Sequence, residues 1–255
     1  MQKQFNQKQI AESIVGYLDD FRSRLFIILS IIAVLTIAGF FFSDEILRAL
    51  TIPFSKSGLK LNLFNLTSGF MLRLKASFAA ALLATFPVIV FYLWRTLQPS
   101  VSAEMLNFIR MSFIAGTLLF YSGVSFIYFL ILPNSISVLL SFVGSNMQST
   151  IDADNYFSFT IMFSLAVSLL FEFPIIIMVL SRMGIITPEI LRKYRKHAIV
   201  LIWVLAAIVT PTVDPINQTF VAVPLMIFYE ISVILSKVIV RKKQKISALK
   251  ESETL

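Results

Sequence analysis

The chain contains no cysteine and only one histidine, His197, which excludes a disulfide framework, an iron–sulfur cluster, a thiolate zinc site and a multi-histidine metal site. Charge is scarce as well. Only 14% of the residues are charged, against the quarter usual in a soluble domain. The common catalytic signatures GxxxxGK[ST], HExxH, GxSxG and GxGxxG are all missing, so neither an enzyme nor a resident cofactor is expected.

What is present is hydrocarbon. Apolar residues make up 57% of the 255, with 25 phenylalanines, and the mean hydropathy is +0.84. This is the composition of an integral membrane protein, all-α and polytopic. Measured against the roughly 20 residues needed to cross a bilayer, apolar runs predict six spans, near Leu25–Phe42, Ala76–Trp94, Ile109–Leu132, Ser158–Leu180, Ala198–Val213 and Phe220–Val240. The last two form a hairpin about Thr210-Pro-Thr-Val-Asp-Pro215, and the fifth is short enough to sit shallow or to thin the bilayer locally. The polar stretch before Leu25 makes the first span an uncleaved anchor.

The net charge of +8 reads as a topology signal rather than a nucleic-acid face. Of the 22 lysines and arginines, only Arg48, Lys56, Lys60, Arg73 and Lys75 fall on the side opposite the N-terminus. By the positive-inside rule, an even number of crossings then puts both termini in the cytoplasm. Residues 1–240 are expected to form a single transmembrane domain, and 241–255 a basic, disordered tail. The two longer outer loops, Ser43–Lys75 and Pro133–Phe157, are expected to form a modest cap, with Leu61–Leu74 as a helix on the membrane surface.

Two glutamates, Glu172 and Glu230, lie inside predicted spans, where a carboxylate costs at least about 2 kcal/mol. Glu172 stands in Leu170-Phe-Glu-Phe-Pro174. Pro174 frees a backbone carbonyl and kinks the helix there, opening a polar notch around a carboxylate that is either functional or a hydrogen-bonded structural group. Glu230 lies closer to a membrane face, within reach of water by snorkelling. Asp19, Asp20 and Glu104 lie on the cytoplasmic side, where spaced carboxylates suit bidentate capture of guanidinium groups. For Asp20 the alternative is a pair with Arg24 or a helix-start role. Asp214 suits a helix N-cap, Thr210 and Gln218 suit polar contact with another membrane helix, and Gly123 and Ser125 allow a neighbouring helix close approach.

Many short sequence features occur together in one order. They are Leu18, Arg22, Arg24 and Leu25; Pro53; Phe86-Pro87 and Trp94; Pro99; Leu119-Phe-Tyr-Ser-Gly123 and Tyr128-Phe129; Pro133; Phe171-Glu-Phe-Pro174; Met183-Gly-Ile185; Pro188; Leu191-Arg-Lys193 and Arg195; Thr210-Pro211; Asp214-Pro215; Gln218; Pro224; and Tyr229-Glu-Ile231. From about Tyr17 to Lys237 the chain thereby resembles the TatC family, the multispanning receptors of the twin-arginine protein translocase.

The resemblance implies six helices in a concave bundle in the inner membrane of a bacterium. It also implies binding of twin-arginine signal peptides near Asp20 and Glu104, with Asp19, Arg22 and Arg24 beside them. TatA-like and TatB-like single-span subunits would pack near Thr210, Asp214 and Gln218, and export of folded proteins would be driven by the proton-motive force. Pro53, Pro99 and Pro174 are implied to be structural. Asp20 stands where the family carries glutamate, and Thr96 where it carries phenylalanine. A rival reading is a proton-coupled small-molecule transporter that uses Glu172 and Glu230 as a relay.

Overall fold

A bilayer core offers backbone N–H and C=O groups no partners, so a chain this apolar must satisfy them within helices. The computed structural model describes the backbone of residues 2–55, 60–97, 103–141, 150–210 and 215–253, and the side chains of 22–55, 60–95, 107–141, 150–210 and 215–241. Among these the elements are α1 (Gln2–Phe41), α2 (Ser43–Ser55), β1 (Leu61–Asn62), α3 (Ser68–Leu97), α4 (Ala103–Phe126), a π-helical turn (Ile127–Ile131), α5 (Leu132–Ser141), β2 (Ile151–Asp152), α6 (Ala153–Leu170), α7 (Phe173–Met183), α8 (Pro188–Lys193), α9 (Arg195–Val209) and α10 (Pro215–Glu253).

Five segments are long and apolar enough to cross a membrane: Arg22–Phe41, Ser68–Arg95, Asn107–Ser141, Ala153–Met183 and Pro215–Arg241. They match five of the six predicted spans. The remaining one, predicted at Ala198–Val213, is α9, with 15 residues. At 1.5 Å per residue it is about 22 Å long, short of a hydrocarbon core of about 30 Å. Thr210 closes α9 in an extended conformation, ahead of Pro211.

Two other expectations are corrected. The surface helix predicted at Leu61–Leu74 does not form. Its first residues are strand β1, Ser68 N–H turns back to the Asn65 carbonyl, and the rest is the opening of α3. The helix of that loop is instead α2, whose start carries Asp44 and Glu45 in the first turn, where the helix dipole favours acidic groups. The segment expected to be a disordered tail continues α10 to Glu253. No glycine or proline follows Pro224, so nothing in the sequence breaks the helix.

The expected cap is present at one end of the bundle. β1 pairs in parallel with β2, Leu61 opposite Ile151 and Asn62 opposite Asp152. Below them Phe54, Leu72, Ile136, Ala153, Tyr156 and Phe157 form a buried cluster. Polar ties reinforce it. Lys75 Nζ reaches Asp154 Oδ1 at 2.7 Å, Asp154 Oδ2 at 3.0 Å and Ser158 Oγ at 2.9 Å, and Arg73 ties Asp44 and Ser43 to α3. The main core lies deeper, where Ile127, Ile131, Val167, Phe171, Ile177, Val221 and Tyr229 pack between α6, α7, α9 and α10.

Candidate functional site

Prolines interrupt the helix ladders at several depths, and each frees the carbonyl four residues back. Pro87 in α3 releases the Leu83 carbonyl, and the Tyr121 hydroxyl of α4 donates to it at 2.8 Å. Pro53 in α2 releases the Ala49 carbonyl, which accepts from the Tyr128 hydroxyl. The Tyr156 hydroxyl donates to the next carbonyl, Leu50, at 2.9 Å. An unmatched carbonyl in apolar surroundings would cost several kcal/mol, and these hydroxyls supply the missing donors. The sequence shows Tyr121 and Tyr128 only as members of an aromatic packing run.

Pro174 acts differently. The helix predicted to kink is interrupted by one turn: α6 ends at Leu170, Phe171 and Glu172 form a turn that keeps right-handed helical dihedrals, and α7 begins at Phe173 with the proline in its first turn. Glu172 occupies the N-cap position of α7 without capping it, because its side chain makes no hydrogen bond to the helix start. The side chain turns inward. Glu172 is 7% exposed, and its Oε1 is buried with no hydrogen-bond partner.

The wall facing this carboxylate is Gly116 of α4, where an added Cβ would stand 2.9 Å from Glu172 Oε2. Seven residues on, a Cβ added at Gly123 would stand 3.0 Å from the Phe171 ring and 3.1 Å from the Ser168 Cα, the close approach expected of this glycine. The Ser125 hydroxyl instead folds back to the Tyr121 carbonyl of its own helix. The predicted notch thus exists, lined on one side by glycine, and among the described residues no cation pairs with Glu172.

The other intramembrane glutamate is ordinary. Glu230 Oε2 accepts from Arg195 Nη2 at 2.7 Å, and both side chains are nearly half exposed. Nearby, the Tyr229 hydroxyl donates to the Leu191 carbonyl at 2.6 Å, fixing α8 against α10. On α8, the Glu189 carboxylate is held below its usual range by its own backbone N–H and the Thr187 hydroxyl. At the hairpin, Gln218 Nε2 donates to the Trp203 carbonyl at 2.9 Å and Thr210 Oγ1 to Ala206 at 2.8 Å, so both side chains bond within the chain.

The Arg22 guanidinium, at the start of the first membrane segment, lies 5.7 Å from the Phe26 ring centre, while Arg24 is partly buried. The side chains of Asp19, Asp20 and Glu104 lie outside the described residues, as do Pro99 and Asp214. Among the described residues no group of three metal-ligating side chains comes together.

With this geometry established, the chain can be set beside known proteins. The family model described as Sec-independent protein translocase protein (TatC) matches residues 16–224. The chain belongs to the TatC family. It is 36% identical over 237 residues to the Sec-independent protein translocase protein TatC of Aquifex aeolicus, covering 90% of this chain and 97% of that one. It is 35% identical over 238 residues to TatCy of Bacillus subtilis, covering 92% and 93%. The crystal structure of the twin-arginine translocase receptor TatC superposes with a TM-score of 0.76 at 31% identity, over 88% of this chain and 99% of that one. TatC is thus a family of multi-pass membrane components of a protein translocase, not of enzymes.

Proposed function

We propose that the chain is the receptor subunit of a twin-arginine translocase in the inner membrane of a bacterium, binding signal peptides of folded clients exported with the proton-motive force. The likeness to the solved receptor over nearly the whole chain carries this reading. The chain crosses the membrane six times with both termini in the cytoplasm, the short α9 serving as a shallow fifth crossing.

In this reading Asp20 and Glu104 clamp the two guanidinium groups of the signal, with Asp19, Arg22 and Arg24 tuning the local charge. Carboxylates accept two parallel N–H bonds from each guanidinium, a geometry that lysine cannot reproduce. TatA-like and TatB-like single-span subunits dock along the α9–α10 hairpin near Thr210, Asp214 and Gln218. Glu172, unpaired in the bundle, meets the inserted signal helix or polarises the membrane around it. That Glu230 is held by Arg195 speaks against a two-glutamate proton relay for small molecules.

A photo-reactive residue at position 20 or 104 tests the reading. It should crosslink to a twin-arginine peptide and lose most of that yield when the peptide's arginines are changed to lysines. Equal yields with both peptides would exclude arginine reading at these positions.

A further inference from the structure

Glycine in the middle of a helix is a cost, because it gives up backbone freedom and packs nothing. Gly116 is such a residue, and its backbone does not require it: among the described residues the one glycine with positive φ is Gly184, at the end of α7. What a side chain at position 116 would displace is therefore informative. The three nearest atoms to an added Cβ all belong to Glu172: Oε2 at 2.9 Å, and Cδ and Oε1 at 3.7 Å.

Gly123 on the same helix makes the contrast. There the obstacles include the Cα of Ser168, a backbone atom that can move only if α4 and α6 part. At Gly116 the obstacle is the far end of one flexible side chain. Gly123 makes room for a helix, whereas Gly116 makes room for a carboxylate.

We propose that Gly116 is a positioning residue for Glu172: its missing side chain forms the slot on α4 that admits the carboxylate and fixes where in the bundle that group sits. The functional consequence rests on the reading of Glu172 as a working group; the positional one does not. Because Glu172 can swing aside, Gly116→Ala moves the carboxylate and leaves the fold in place. Shortening the acid by one methylene, as Glu172→Asp, restores the missing space.

The test uses the full chain with its partner subunits in vesicles, comparing wild type, G116A, E172D and the double variant for transport of a twin-arginine client. Isotope-edited infrared spectra give a second readout, the Glu172 carboxyl band being assigned by its loss in E172Q. G116A should shift that band and slow transport several-fold at unchanged abundance and melting temperature, and the double variant should transport faster than either single one. An unmoved band in G116A, or a double variant no faster than G116A, would overturn the proposal. If E172Q itself transports at the normal rate, it is the working role of Glu172 that fails, and the band still decides what Gly116 does.

Discussion

Asp154 and Glu172 are carboxylates on the same pair of consecutive helices, and the fold treats them in opposite ways. Asp154, at the cap, has both oxygens bonded to Lys75, whose third contact is Ser158. Glu172, at the turn between α6 and α7, has one oxygen without a partner among the described residues and faces a glycine of α4. A buried unpaired polar group lowers stability by about 1–3 kcal/mol, and helix α7 gains no cap bond in return. A paired carboxylate is thus accounted for by architecture, whereas an unpaired one is the candidate for a working group, as proposed for Glu172.

This contrast is sharpest at Glu172 itself. Replacing it with glutamine keeps the shape and removes the charge, so we expect transport of a twin-arginine client to fall at least tenfold while the melting temperature in detergent holds or rises. A protein that transports normally with Glu172→Gln would leave the two carboxylates alike. At the cap the opposite pattern is expected: Lys75→Ala strands Asp154 and should destabilise by about 1–2 kcal/mol, given that both groups retain some water. Removing both partners should recover part of that loss, and transport at permissive temperature should stay near normal. The smallest effect is expected at Arg195→Ala, where a half-exposed pair is worth within about 0.5 kcal/mol; a large loss of stability there would show that Glu230 is less accessible to water than its exposure indicates.

Most of the spans were legible because a hydrocarbon core demands long apolar runs, and Phe171-Glu-Phe-Pro174 announced both the interruption and its carboxylate. The shortness of α9 was legible as well, since Thr210 and Pro211 stop its apolar run, whereas its start at Arg195, three residues ahead of that run, was not. The α2 helix was hidden by the same hydropathy reasoning: it is too short to span, and the more apolar stretch after it drew the assignment. Gly116 carries no signal of its own, because its meaning lies in a contact with a residue of the next span, 56 positions along the chain. The same holds for Tyr121 and Tyr128, whose hydroxyls answer prolines on other helices and whose rings resemble ordinary packing. The groups expected to read arginine, Asp20 and Glu104, were suggested by charge placement and by the resemblance alone.

The π-helical turn at Ile127–Ile131 sets the phase of everything that follows it. A widened turn inserts one residue into the count, so the helix beyond it is rotated by roughly a quarter of a revolution relative to an unbroken one. That rotation delivers Ser135 to Asn217 of α10 at 2.8 Å and Ile136 to the cap cluster, while Ile127 and Ile131 stay sealed in the deeper core. One segment of chain thereby serves two interiors, the deeper one through Ile127, Ile131 and Leu132 and the cap through Ile136.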